Sequence, residues 1–115
     1  MNFKNVYAGI MTTDIETAKE WYGKLIGRKS DYNPMKILHE WNFSNGGVLQ
    51  LVEDKERAGY SSITIMVNNI DEISKELVEK NLPIGKVSED KIAKTITIND
   101  PENNRITFAE NMEGK

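Results

Sequence analysis

Cysteine is absent from this chain of 115 residues, and histidine occurs once, at His39. Without cysteine there can be no disulfide framework, no thiolate nucleophile and no thiolate metal site. A single histidine also excludes the arrangement of two histidines and one carboxylate that holds iron in many oxygenases. Because a chain without cysteine forms no disulfides, it needs no oxidising compartment, and we predict a cytoplasmic protein.

Long apolar runs and an excess of positive charge are missing too. No stretch approaches the roughly 18 apolar residues of a membrane span, and the N-terminus lacks the apolar segment of a secretory signal. The formal net charge is −3, whereas domains that bind nucleic acid usually present a basic face. We therefore predict neither a membrane nor a nucleic acid as a partner. Without a GxSxG elbow or a glycine-rich phosphate loop, the sequence predicts no catalytic residue.

An internal repeat is the most informative feature that is present. Residues 6–27 (VYAGIMTTDIETAKEWYGKLIG) align with residues 61–85 (SSITIMVNNIDEISKELVEKNLPIG) at an offset of 55 positions. Each segment has the pattern of a short strand, a helix cap and an amphipathic helix, and further strand patterns follow it. We predict an α+β fold and a single domain over residues 1–115. The domain consists of two βαβββ repeats, at about residues 3–52 and 61–110. Residues 53–60 form the linker between them.

A hairpin in the first repeat permits a prediction of strand register. Asn45-Gly46 is a strong signal for a two-residue hairpin turn. A turn centred there pairs Trp41 with Gln50 and puts His39 on the same face, because directly paired residues share a face. Leu51 then falls on the other face, where a helix can cover it.

Four short segments carry a resemblance to a known family. They are TDIE at 13–16 and WYGKLIG at 21–27 in the first repeat, and VNNID at 67–71 and DPENNRI at 100–106 in the second. Their order resembles the vicinal oxygen chelate superfamily, which includes glyoxalase I, bleomycin-resistance proteins, fosfomycin-resistance enzymes and extradiol dioxygenases. The resemblance implies a curved, mixed eight-stranded sheet around a cup, with the helices outside. It also implies a homodimer.

The same resemblance raises the question of a metal. Family members that do chemistry usually hold a divalent metal in the cup through His, Glu or Gln, and the corresponding positions here are Tyr7, Gln50, Ser62 and Thr107. Only Gln50 is a plausible ligand, because a neutral hydroxyl binds such metals poorly. We therefore predict no metal and no cofactor. A weak site made of His39, Gln50 and a nearby carboxylate is the alternative.

The candidate ligand contacts follow from the predicted cup. Trp41 can stack on a planar or hydrophobic ligand, or can simply fill the cup or a dimer interface. Met11 and Met66 suit an adaptable apolar pocket or an ordinary core. Three hydroxyl side chains replace the family's ligands and can orient a polar group, or bond to each other. The predicted ligand-binding residues are Tyr7, Met11, His39, Trp41, Gln50, Ser62, Met66 and Thr107.

Two functions of different class fit these features. The first is a metal-free protein that binds or sequesters a small hydrophobic or cationic molecule, similar to the bleomycin-resistance branch. The alternative is an enzyme of the same superfamily, of the lyase, dioxygenase or transferase type, that uses an atypical site. A third possibility is a dimeric partner-binding module whose cup is plugged by Trp41.

Overall fold

The computed structural model describes residues 1–114, so Lys115, the last residue of the predicted domain, lies outside the described residues. The chain divides into a first unit, residues 1–61, and a second unit that begins at Ser62. Each unit has the element order βαβββ, and its strands form one four-stranded mixed sheet. The predicted α+β class with two βαβββ modules is confirmed, but the strands form two four-stranded sheets and not the predicted single eight-stranded sheet. No helix within residues 1–114 has the length and apolar character needed to cross a membrane.

The first unit contains β1 (Tyr7–Thr12), α1 (Ile15–Ile26), β2 (Tyr32–Met35), β3 (Leu38–Asn42) and β4 (Val48–Glu53). The strand order is β1-β4-β3-β2, with β1 parallel to β4 and the other pairs antiparallel. Asp14 caps α1 because its side chain accepts hydrogen bonds from the first free N–H groups, and Gly27 ends the helix with a φ of 93°. The buried side chains of α1 recur at helical spacing and are Ile15, Ala18, Tyr22 and Leu25.

The second unit contains β5 (Ser62–Met66), α2 (Ile70–Glu79), β6 (Lys86–Glu89), β7 (Ala93–Asn99) and β8 (Arg105–Asn111). The strand order β5-β8-β7-β6 matches that of the first unit, again with a parallel pair between the first and fourth strands. Asn69 caps α2 as Asp14 caps α1. The core between α2 and the sheet is formed by buried aliphatic and aromatic side chains, among them Ile70, Leu77, Ile96, Ile98, Ile106 and Phe108.

A second cap is common to both units and joins each helix to its own sheet. The Glu53 carboxylate, at the end of β4, accepts a hydrogen bond from the backbone N–H of Ile15 at 3.1 Å. The Glu110 carboxylate, near the end of β8, accepts one from the backbone N–H of Ile70 at 2.8 Å. A carboxylate at this end of a helix accepts a hydrogen bond from a free N–H and interacts favourably with the positive end of the helix dipole.

Candidate ligand-binding faces

The hairpin between β3 and β4 turns over three residues, 44–46, and not over the predicted two. The backbone N–H of Phe43 donates to the Gly47 carbonyl at 2.8 Å, and the N–H of Gly46 donates back to the Phe43 carbonyl at 3.0 Å. Gly46 has a φ of 94°. This is the three-residue hairpin in which a left-handed glycine follows a tight turn. Asn-Gly occurs in both types of turn, so the dipeptide did not distinguish them.

The extra turn residue shifts the strand register by one, and the predicted pairing of Trp41 with Gln50 is wrong. Trp41 is paired with Leu49, and Gln50 is paired with Glu40. Successive residues of a strand point to opposite faces, so the shift puts Trp41 and His39 on the side of the sheet that carries α1. Gln50 lies on the opposite side. For each sheet, we call the side opposite its helix the far face.

Trp41 belongs to the core of the first unit. Its side chain is 0% exposed, and its ring centroid lies 6.5 Å from that of Tyr22 on α1. The indole Nε1 donates a hydrogen bond to the Arg28 carbonyl at 3.0 Å. Trp41 therefore packs beneath α1, and this position differs from the predicted roles of stacking on a ligand or filling the cup or a dimer interface.

His39 lies on the same side as Trp41 and is also buried. Its Nδ1 is 2.7 Å from the Ser30 hydroxyl. Burial and the nearby charge of Lys19 lower the pKa of His39, against a smaller opposing effect of Glu16. The imidazole is therefore neutral at pH 7. The prediction that His39 shares a face with Gln50 is wrong, and with it the alternative of a weak metal site made from both residues.

The far face of the first sheet carries a buried polar pair instead. The Gln50 Nε2 donates a hydrogen bond to the Glu40 Oε2 at 2.7 Å, and Glu40 is only 9% exposed. A buried carboxylate is costly unless it is hydrogen-bonded, and the Gln50 amide supplies that hydrogen bond. The sequence prediction missed Glu40. The same alternation would have placed it beside Gln50, had the turn been assigned three residues.

Two further predicted site residues lie on this far face, Tyr7 and Met11. Both are on β1, at positions that alternate with the residues facing α1, and Tyr7 is about half exposed. Gly9, between them, is paired with Gln50. A Cβ at Gly9 would lie 3.0 Å from the Met11 Cε, so the thioether arm lies across the glycine. Tyr7, Met11 and Gln50 thus occupy one surface within the first unit.

The far face of the second sheet holds the remaining predicted residues, Ser62, Met66 and Thr107. Ser62 and Met66 are exposed on β5, and Thr107 lies on β8 within hydrogen-bond distance of Thr97, with 3.2 Å between the hydroxyl oxygens. A groove of about 450 Å³ runs over this face. Its lining includes four hydroxyl side chains and two cations, which are Ser88, Thr95, Thr97, Thr107, Lys86 and Arg105. Neither cation was predicted from the sequence.

The residues present do not fit the family's divalent metal. The Gln50 amide is hydrogen-bonded to Glu40, and Thr107 shares a hydrogen bond with another hydroxyl. Neutral hydroxyls are poor ligands for the metals in question. Within residues 1–114 there is also no group of three or more His, Asp or Glu side chains placed to hold a metal ion.

Comparison with solved structures gives the same fold. A glyoxalase/bleomycin resistance protein from Catenulispora acidiphila is similar over 92% of this chain and 96% of its own, with 27% identity and a TM-score of 0.84. A lactoylglutathione lyase from Agrobacterium tumefaciens is similar over 97% of both chains, with 14% identity and a TM-score of 0.80. A glyoxalase/bleomycin resistance protein/dioxygenase from Nocardioides is similar over 100% of this chain and 87% of its own, with 14% identity and a TM-score of 0.75.

These likenesses confirm the resemblance noted in the sequence, and the chain has the fold of the vicinal oxygen chelate superfamily. No protein-family model matches the chain, and no curated protein matches its sequence. Members of one fold carry out different chemistry, so the function has to be argued from the residues of the site.

Proposed function

We propose that this chain is a metal-free binding protein for a small hydrophobic or cationic molecule, and that Glu40 is its main recognition group. The observation that carries the proposal is the Glu40–Gln50 pair on the far face of the first sheet, with its 2.7 Å hydrogen bond and the 9% exposure of Glu40. A largely desolvated carboxylate interacts strongly with a cation that reaches it.

The hydrogen-bonding capacity of the pair favours a ligand with N–H groups. Gln50 provides the one side-chain hydrogen bond that Glu40 receives within the described residues, and it occupies Oε2. An ionised carboxylate has two acceptor oxygens, so Oε1 remains for the ammonium or amidinium group of a ligand. Charge-assisted hydrogen bonds of this kind are about twice as strong as neutral ones.

The neighbours of the pair suit the apolar part of such a ligand. Tyr7 and Met11 share the far face with Gln50, and Gly9 adds no side chain beside it. Methionine adapts to ligands of different shape, because its arm is unbranched and its sulfur is polarizable. An aromatic cation can therefore contact the carboxylate with its charged end and the β1 side chains with its ring.

Calorimetric titration with matched ligands tests the proposal. We expect aromatic amidines and amines to bind the wild-type chain, and the neutral amides of the same shape to bind at least about tenfold more weakly. Glu40→Gln keeps the shape of the side chain and removes its charge, so the preference for cations should disappear. Glu56→Gln is the matched control, because Glu56 is exposed and should leave binding unchanged.

Two results would contradict this function. If Glu40→Gln and the wild type bound cations equally well, Glu40 would not be the group that recognises the ligand. One divalent metal per chain in protein purified without chelator, measured by elemental analysis, would make an enzyme with an atypical site the better proposal. Native mass spectrometry of the same sample also tests the homodimer, which stays a prediction, as does the cytoplasmic location.

A further inference from the structure

A cavity of about 520 Å³ opens beside the C-terminal end of α1, entirely within the first unit. Its volume is in the range of sites that hold small molecules. His39 lines it, and that residue lies on the α1 side of the sheet, so this cavity is separate from the Glu40–Gln50 pair on the far face. The polar side chains of its wall include Lys19, Lys24, Arg28, Lys29, Ser30 and His39.

Two of the four cations in the wall are already matched by carboxylates. Lys19 forms an ion pair with Glu16 at 2.7 Å. Arg28 forms one with Asp31 at 2.8 Å, and the same guanidinium nitrogen donates to the Asn42 carbonyl at 2.6 Å. These contacts fix the Arg28 side chain, and the Asp31 carboxylate balances its charge.

The other two cations, Lys24 and Lys29, take part in none of the salt bridges found within residues 1–114. Both are exposed. One carboxylate, Glu20, also lines the cavity, so positive charge remains in excess at its mouth. That excess lies on a chain whose net charge is −3, and is therefore a local feature.

A hydrogen-bonding pair lies in the same wall. The Ser30 hydroxyl and the His39 Nδ1 are 2.7 Å apart. If Ser30 donates, the neutral imidazole keeps its N–H at Nε2; if His39 donates, Ser30 keeps its own O–H. In either tautomer the pair retains one hydrogen that it can donate to a ligand. A neutral pair of this kind adds a directed donor without adding charge.

The end of α1 works against an anion here, because helix C-termini carry partial negative charge. One carbonyl of the last turn is already hydrogen-bonded, because the Gly23 carbonyl accepts from the N–H of Gly27 at 2.8 Å. The helix end amounts to about half an elementary charge. Added to the Glu20 carboxylate, it is still less than the charge of the two unmatched lysines.

We propose that this cavity binds a small molecule bearing a phosphate group, held by Lys24 and Lys29 and oriented by the Ser30–His39 pair. Lys24 and Lys29 outweigh the single Glu20 carboxylate in the wall, so the cavity favours an anion, and a phosphate monoester carries about −1.5 to −2 at neutral pH. A carboxylate brings only one negative charge and fewer acceptor oxygens, so it should bind more weakly. The remainder of a small phosphate ester fits within the cavity volume.

Titration of the ¹⁵N-labelled full chain with phenyl phosphate, followed by NMR, tests this site. At low salt and pH 7 we expect saturable shifts of the amide signals of residues 23–30 and of His39, with benzoate binding about tenfold more weakly. The combined variant Lys24→Gln and Lys29→Gln should weaken phenyl phosphate binding by a similar factor. Both side chains are exposed, so the variant should fold normally.

The control removes the same charge elsewhere. Lys75→Gln combined with Lys91→Gln changes two exposed lysines of the second unit and should leave phenyl phosphate binding within about twofold of wild type. Equal weakening in both combined variants would mean a response to overall charge, and would overturn the proposal. So would shifts that map outside the α1 end, or none at all at 20-fold excess of phenyl phosphate over about 1 mM protein.

Discussion

His39 is the side chain that gives the first unit a dependence on pH near neutrality. Burial favours the neutral imidazole, and the Lys19 charge adds to this effect, so the pKa of His39 lies below its ordinary value of 6.5. A group with a lowered pKa in the folded state contributes its full stability above the unfolded pKa. That contribution is lost as the pH falls below about 6.5 and through the folded pKa.

We therefore expect His39→Gln to flatten the pH dependence of the free energy of unfolding. Urea denaturation at pH 7.5 and at pH 5.0 should show a smaller loss for the variant than for the wild type. Below about pH 4, the pH dependence of the free energy of unfolding should be the same in both proteins. Hydrogen bonds lower the pKa values of Asp14, Asp31 and Asp90 from 3.8, and the variant keeps those bonds. An equal loss in both proteins would contradict the assignment.

The hairpin shows at the level of one element why a strong local signal can still give the wrong face. Cap chemistry is local, and the predicted caps Asp14 and Asn69 are both in place. Strand register depends on whether a turn holds an even or an odd number of residues, and Asn45-Gly46 serves both. Two predicted site residues, Trp41 and His39, changed face for this reason alone.

Gly46 should be the residue on which the three-residue turn depends. With a φ of 94°, Gly46→Ala should cost roughly 1 kcal/mol of the free energy of unfolding, because a Cβ disfavours the left-handed region. Gly47→Ala is the matched control. A Cβ at Gly47 would lie at an ordinary 3.9 Å from Phe43 and meets no such strain, so urea denaturation should detect a change of less than about 0.5 kcal/mol. Equal effects of the two substitutions would argue against this turn.

At the scale of the whole molecule, the repeat made the fold predictable, whereas the sites depended on contacts between distant residues. The matching βαβββ order follows from patterns within each half of the sequence. The carboxylate caps do not, since Glu53 and Ile15 are 38 residues apart and Glu110 and Ile70 are 40 apart. The Glu40–Gln50 pair likewise required the correct register before it could be recognised.

The repeated cap leads to a prediction about additivity. Glu53→Ala and Glu110→Ala should each lower the free energy of unfolding by about 1 kcal/mol, because each leaves a helix N–H without its acceptor. Each cap lies within its own unit, with no partner in common, so the combined variant should lose about the sum in urea denaturation. The corresponding Gln variants keep an acceptor oxygen and should recover part of each loss. A combined loss that differs from the sum by more than about 0.5 kcal/mol would contradict independent caps.

The closeness of Trp41 to His39 gives the chain an optical property. The two ring centroids are 6.5 Å apart and the planes are inclined by 38°. A protonated imidazole at this distance quenches the emission of an excited indole, whereas a neutral imidazole quenches it much less. Trp21 is the other tryptophan of the chain, so in a Trp21→Phe background all the tryptophan fluorescence would come from Trp41. Its intensity would then follow the charge of a side chain in the wall of the lysine-rich cavity, without any added dye.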